Sequence, residues 1–469
     1  MRDYVTACLD DICTITMGQS PPSSAYNSKQ KGLPFFQGKA EFTELHPVTV
    51  KWCTESNKIA YANDILLSVR APVGTTNIAD QKCCIGRGLA ALRYIHCYKF
   101  LFYYLRLIEK KLDEKGTGTT FRAISGDVLR NYPIGLPPLP EQRAIVAKLE
   151  QLFSELDNGI ACLKKAQEQL KVYRQAVLKQ AFEGELTKAW REQQTSLPSA
   201  QELLENITNE REHAAKHQGK KLKPAIPLTQ AEFDDLPELP NEWKWVKFGD
   251  ISDVVRGGSP RPAGDPKYYD GDIPFLKVAD ITKNDSLYIN DYEFSIKEAG
   301  LKKTRKIHKN TLLLSNSGAT LGVPKITQIE ATINDGIAAF LDLDSRSLFY
   351  AYYFWRSKTT ELRRVNQGAA QPNLNTDLIK AVAYPLCGFN EQAQIVQEIE
   401  TRLSVCDNME TTIKESLEKA GALRQSILKK AFEGKLLSME ELQITRNAPD
   451  WEPAEKLLER IRAEKRTAR

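Results

Sequence analysis

The sequence predicts an α+β protein written twice: two pseudo-repeated domains joined by two long helices that pair as an antiparallel coiled coil. Three observations carry that expectation. At 469 residues the chain exceeds what one hydrophobic core holds, because single cores stop growing at roughly 250–300 residues. Residues 141–186 and 391–436 align without a gap at an offset of 250, with 19 of 46 positions identical. Both segments repeat apolar residues every three or four positions, the period of an amphipathic helix.

Composition bounds the rest. An apolar fraction of 42%, with 27% charged and 9% aromatic residues, fits a globular protein and excludes disordered, collagen-like and disulfide-stapled classes. The start MRDYVTACLDDICT holds acids where a secretion signal would hold bases and then an apolar run, and no window reaches the length of a membrane span, so a cytoplasmic protein without a membrane partner is expected. Nine cysteines, an odd number without a CxxC pair, read as reduced thiols. The net charge of +5 is small, but it gathers in two blocks: residues 1–140 hold 17 basic and 12 acidic side chains, and residues 241–390 hold 20 and 17. Two anion-facing modules joined by solvated helices would show this pattern.

Taken in order, residues 1–140 form the first α+β domain. Short β-rich runs such as Ile65-Leu66-Leu67 are separated by Gly, Pro, Asn and Asp, beside one helical stretch, FLFYYLRLIEKKL. A Pro-rich hinge, YPIGLPPLP, precedes the first long helix (141–186). Its stripe is Ile145, Leu149, Leu152, Leu156, Ile160, Leu163, Leu170, Tyr173 and Val177. Residues 187–240 read as a linker with a short helix near 201–209. The second domain (241–390) repeats the first: MGQSPPSSAYN matches RGGSPRPAGDPKYY, LPFFQGKAEF matches IPFLKVADI, IGRGLAAL matches INDGIAAFL, and KGTGTTFRAISGDVL matches NQGAAQPNLNTDLI. The second long helix (391–436) carries Ile395, Ile399, Leu403, Cys406, Ile413, Leu417, Ala420, Ile427 and Ala431. Each helix ends near a glycine, Gly184 or Gly434, as C-terminal caps prefer. A C-terminal tail with a short helix (437–469) follows, PAEKLLERIRAEK echoing SAQELLENITNER. Two related stripes bury each other most simply when antiparallel, giving a dumbbell whose rod of about 60 Å approaches two turns of B-DNA.

Catalytic patterns do not emerge. GxxxxGK[ST], GxGxxG after a strand, HExxH, GxSxG and paired Cys/His ligands are all missing from the sequence, and no metal site is assigned. His213 and His217 stand four apart, but in a linker-like segment with Lys216 between them, so they read as solvated.

Loops combining Gly, Ser, Pro and Arg let backbone amides and a guanidinium approach phosphate, and Arg also forks onto guanine. Arg256, Ser259 and Arg261, with Gln19 and Ser20 in the first copy, are candidates on that ground, an ordinary turn being the plain alternative. The cluster Lys302, Lys303, Arg305, Lys306 and His308 reads as a phosphate-facing strip or a solvated face. Arg70, Arg87, Thr119 and Arg122 complete the candidates of the first domain; Asn316, Gln371 and Asn373 are those of the second. Asn316 stands near Val69 and Arg70 in the alignment, and Gln371, Asn373 and Asn375 face Phe121, Ala123 and Ser125. Amides in one copy against other residues in its twin suit two readers of different bases, or neutral loop drift.

The repeated Pro hinge, EQ-x-x-IV, long helix and R-Q-x-[VI]-L-x-x-AFEG-x-L ending, with a Gly-Ser-Pro loop opening each α+β block, resembles the DNA-specificity subunit of type I restriction-modification systems. The likeness covers about residues 1–186 and 241–469. It implies two target-recognition domains, each reading half of a split, asymmetric site on double-stranded DNA. It also implies helices that set the gap and dock modification subunits, with Ile145, Leu149, Leu152, Leu156, Ile395, Ile399 and Leu403 as pairing and docking candidates. The family's subunit is not catalytic and binds no cofactor. S-adenosylmethionine, ATP and Mg would belong to the modification and restriction subunits. The competing readings are a coiled-coil adaptor that binds only proteins, and a stand-alone nuclease or methyltransferase.

Overall fold

The computed structural model describes residues 4–118, 122–217, 219, 227–318, 320–365 and 374–467. The chain divides into two compact units, residues 1–165 with 413–469 and residues 166–412. The unit boundaries cross both long helices, Leu139–Phe182 and Phe389–Phe432, each of 44 residues.

In the first unit, Thr14–Met17, Leu89–Arg93, Ile65–Ser68 and Thr76–Ile78 lie side by side as an antiparallel sheet. A second sheet orders Tyr26–Asn27, Lys51–Cys53, Leu33–Phe36, Cys83–Ile85 and Ile59–Ala60, with the Leu33–Phe36 and Cys83–Ile85 strands parallel. The strands Ile65–Ser68 and Cys83–Ile85 are fully buried runs, so they read as continuous stretches and not as alternation. The helix Tyr98–Glu114 supplies Phe100, Leu101, Leu105 and Ile108 to a core that also takes Ile145 and Leu149 from the first long helix and Ile427, Leu428 and Ala431 from the second.

The second unit repeats this plan. Asp253–Arg256, Ile337–Leu341, Leu312–Ser315 and Pro324–Thr327 form the antiparallel sheet, with Tyr288–Ile289 added in parallel at the edge. Phe294–Ile296, Tyr269–Leu276, Ala331–Ile333 and Arg305–Ile307 form the other sheet, the middle two strands parallel. The helix Leu348–Val365 takes the place of Tyr98–Glu114, and Ile395, Ile399 and Leu403 enter its core together with Val177, Leu178 and Ala181. Equivalent residues therefore build both units.

Three expectations need correction. The Pro-rich hinges are strands: Pro133–Leu136 pairs antiparallel with Val5–Cys8, and Ala383–Leu386 pairs with Lys244–Lys247. These are two-stranded edges, where a proline's missing N–H costs no ladder bond. Next, the segment 187–240 is more than a linker. Its helix Ala200–His217 buries Ala200, Leu203 and Ile207 in the second core, and Arg211 donates to the Gly249 carbonyl at 3.1 Å. Finally, the helical stripe is no simple seam. Tyr173 is exposed, and the neighbouring Arg174 is the more enclosed residue, bridging Asp407 at 2.7 Å and Glu410 at 2.9 Å. Leu152 and Leu156 are half-buried, while Phe153, absent from the expected stripe, packs edge-on against Tyr103.

Candidate nucleic-acid interface

The repeated helix motifs acquire structural explanations. Glu141 accepts a hydrogen bond from the Tyr4 hydroxyl at 2.8 Å, and its repeat Glu391 accepts one from the Trp243 indole at 2.9 Å. Gln142 donates to the Pro137 carbonyl and Gln392 to that of Cys387, tying each helix start to the preceding strand. At the far ends, Phe182 packs on Tyr350 and Phe354, and Phe432 on Phe100 and Tyr104. Gly184 and Gly434 adopt φ of +80° and +70°, and Glu185 N–H donates to the Gln180 carbonyl, the six-to-one bond of a Schellman cap. Within the first unit Arg424 pairs with Asp157, and within the second their repeats Arg174 and Asp407 pair. Two equivalent pairs, each joining the late part of one helix to the early part of the other, define an antiparallel register.

The Gly-Ser-Pro loops are built as closely. Gly18 N–H donates to the Leu89 carbonyl and Gln19 N–H to that of Ile85; their repeats Gly257 and Gly258 donate to Ile337 and Ile333. A Cβ on Gly18 would lie 2.2 Å from the Gly86 carbonyl oxygen, and one on Gly257 2.2 Å from that of Asn334, so only glycine permits this approach. The Tyr26 hydroxyl donates to the Pro21 carbonyl and that of Tyr269 to Pro260, both at 2.8 Å. Burial raises the pKa of the Tyr269 phenol, which keeps it protonated as that donor.

The candidate residues divide by place. Gln19, Ser20 and Arg87 come together, Arg87 N–H donating to Ser20 Oγ at 3.2 Å. Arg256, Ser259 and Arg261 converge on Asp335, a residue that sequence reasoning missed. Arg256 Nε reaches its carbonyl at 2.5 Å, Ser259 Oγ its Oδ1 at 2.6 Å, and Arg261 Nη2 its Oδ2 at 3.7 Å. Arg70 lies exposed, bridged to Ala123, and Arg122 leans on Asp113 at 3.4 Å. Lys302 and Lys303 are exposed beside the loop, the Lys303 carbonyl facing Gly258. Strand alternation turns Lys306 away from Arg305. Lys306 at 3.2 Å and His308 at 3.5 Å both engage Glu330, whose carboxyl the Lys306 hydrogen bond holds below its ordinary range.

Asn316 is placed differently from expectation. It is fully buried, and neither atom of its amide finds a hydrogen-bond partner among the described residues. Its backbone repeats that of Val69, receiving the equivalent chain segment: Leu374 N–H donates to Asn316, as Ile124 N–H does to Val69. Asn375 and Ser125 are helix N-caps, accepting from Leu378 and Val128 N–H. Thr119, Gln371 and Asn373 lie outside the described residues.

Among the described residues no group of three or more His, Cys, Asp or Glu is arranged to hold a metal, and no helix is long and apolar enough to cross a membrane. His213 lines an open groove of about 480 Å³ with Asn206, Glu210, Arg346 and Phe389. All nine cysteines carry free thiols; burial pushes the pKa of Cys13 and Cys83 up to about 12, leaving both unreactive.

Two similar α+β modules, each with a glycine-built polar loop and mounted on antiparallel helices, define a bipartite recognition scaffold. Residues 1–165 and 240–419 match the family described as the type I restriction modification DNA specificity domain, and the chain belongs to that family. It is similar to the Escherichia coli EcoDI type I restriction enzyme specificity subunit, 22% identical over 99% of this chain and 95% of that one. A Methanocaldococcus jannaschii sequence assigned to the MjaX specificity subunit is 42% identical over 176 residues, covering 37% of this chain and 40% of that one. Among solved structures, a chain from work on assembly and conformational transition of the type I R-M system superposes with a TM-score of 0.65. It is 20% identical, over 92% of this chain and 98% of that one. The chain is a DNA sequence-recognition subunit and not the catalytic component, associating with DNA and with other restriction-modification subunits.

Proposed function

We propose that each module reads one half of a split, asymmetric duplex site, and that the two 44-residue helices set the spacing between the halves and dock modification subunits. The observation carrying this reading is one loop scaffold, preserved in both units, that presents different side chains: Gln19, Ser20 and Arg87 in one, and Arg256, Ser259 and Arg261 in the other. Exposed Val172, Val405 and Met409 on the long helices support docking, since large apolar side chains in water favour a protein partner. S-adenosylmethionine, ATP and Mg belong to the partner subunits, the modification subunits methylating adenine and the restriction subunits translocating and cleaving DNA. The assembly works in the cytoplasm, an environment that suits nine free thiols.

The test replaces residues 241–390 with the corresponding block of another family member and measures duplex selection by the complex with modification subunits. One half of the selected site should change while the other stays. A chimera that binds well but keeps the whole target, or changes both halves, contradicts the reading.

A further inference from the structure

The tips of the two modules share a backbone but exchange the place of their charge. In the first, the loop Met17, Gly18, Gln19, Ser20, Pro21 and Pro22 has no charged side chain, and the facing turn contributes Arg87. In the second, the loop carries Arg256 and Arg261, and the facing turn contributes Asp335. Strand pairing fixes the equivalence. Phe35 pairs with Cys84 as Phe275 pairs with Thr332, and counting on three residues from each partner reaches Arg87 and Asp335. Each tip therefore has one net positive charge and a serine contacting the facing turn, yet one offers an arginine alone and the other two arginines gathered at Asp335, Arg256 on its main-chain carbonyl and Arg261 on its carboxylate.

We infer that position 87/335 determines what each half-site reader selects: Arg87 contacts DNA directly, whereas Asp335 is a positioning residue whose carboxylate aims Ser259 and Arg261. This rests on the bipartite reading above. Arg87 is exposed and its guanidinium makes no ion pair or side-chain hydrogen bond among the described residues, so it meets a ligand without first breaking a contact. Asp335 is half-buried and tethers three neighbours. Any one of these tethers is weak at an exposed site, the 3.7 Å arginine pair above all. The two on the carboxylate, from Ser259 and Arg261, restrict the directions the loop and the Arg261 guanidinium can take, whereas the Arg256 bond to the main-chain carbonyl survives any substitution at 335. Attraction to phosphate carries no sequence information, and it is stronger in the second unit, where Lys302, Lys303 and Arg305 are exposed beside the loop. A different donor and acceptor arrangement gives the two tips different base preferences.

The experiment uses the complete chain with its modification subunits and duplexes that the unaltered complex enriches from a random-sequence pool. Each base pair of both half-sites is then varied singly. Arg87→Ala should reduce discrimination roughly 10- to 100-fold at one or two base pairs of a single half-site, the worth of a bidentate arginine contact. Asp335→Asn keeps the side chain's size and removes a negative charge. It should reduce discrimination about tenfold in the other half-site while slightly raising affinity for unrelated duplex. A purely structural role for Asp335 would lower both affinities together. Thermal melting of each variant identifies misfolding, and Asp335→Glu, retaining the carboxylate, should restore part of the discrimination. Unchanged base preference with Arg87→Ala and Asp335→Asn overturns the inference and leaves the bipartite reading intact. Failure of the unaltered complex to enrich any sequence overturns that reading instead.

Discussion

The two units solve the same packing problem with nearly the same residues, yet they differ at the edges that face outward. Tyr26 and Tyr269 pin their loops alike, and Phe432 and Phe182 close their cores alike. Beside the loop, however, Lys302, Lys303, Thr304 and Arg305 of the second unit stand where the strand pairing of the first places Glu55, Ser56, Asn57 and Lys58. A scaffold can be held constant because its contacts are satisfied internally, by backbone bonds and packed rings. The outward side chains contact mostly one another, as Lys306 and His308 contact Glu330, and are free to differ. Predictions that treat equivalent positions in the two units as a matched pair test this division between frame and reader.

The largest expected contrast lies at the helix starts. Glu391 is 2% exposed and binds Thr187, Arg191 and Trp243, whereas Glu141 accepts from Tyr4 at a less enclosed site. Removing Glu391 strands a partly buried guanidinium and a buried indole N–H, so Glu391→Ala should cost about 3–5 kcal/mol in chemical denaturation. Glu391→Gln, which can still accept from the Trp243 indole but offers Arg191 no charge, should cost less, on the order of 1–3 kcal/mol. Equal losses for the two variants would mean that the charge facing Arg191 accounts for the whole cost.

Next come the apolar anchors. Leu149 and its repeat Ile399 are both fully buried, each in the core of its own unit. Replacement of either by Ala should cost about 2–5 kcal/mol, and by similar amounts if the frames are truly equivalent. A difference beyond about 2 kcal/mol, measured under the same denaturant conditions, would show that one unit relaxes around the cavity and the other does not.

What the sequence makes legible follows the same division. EQ-x-x-IV and the AFEG ending survive duplication because Glu, Gln, Ile, Phe and Gly each fill the same place in their unit, even where the residue they meet has changed, as from Tyr4 to Trp243. The loop repeat is fainter, since its frame rests on bonds such as Gly18 N–H to the Leu89 carbonyl, which leave most side chains unconstrained. Asp335 was missed because nothing in INDGIAAFL marks its aspartate as facing Ser259. Residue type alone makes Asn316 a candidate reader, whereas its position directly after the buried strand Leu312–Ser315 encloses it. Prolines at 133, 137 and 138 suggest a hinge because proline usually breaks strands, and an edge pairing such as Cys8 with Pro133, 125 residues apart in the sequence, cannot be read locally.

The smallest effect concerns the two matched helix pairs. Arg174 reaches Asp407 and Glu410, while Arg424 reaches Asp157 and lies over the Phe153 ring at 4.8 Å. Both aspartates are well exposed, so double-mutant cycles should give couplings of only about 0.2–1 kcal/mol. Arg174–Asp407 should show the weaker coupling, because Glu410 retains Arg174 when Asp407 is removed. High salt should reduce both couplings, leaving at Arg424 the ring contact that Arg424→Lys would weaken. A coupling several times larger in either unit would mean that the helices are held by charge, and that apolar contacts such as those of Ile427, Leu428 and Val177 are secondary.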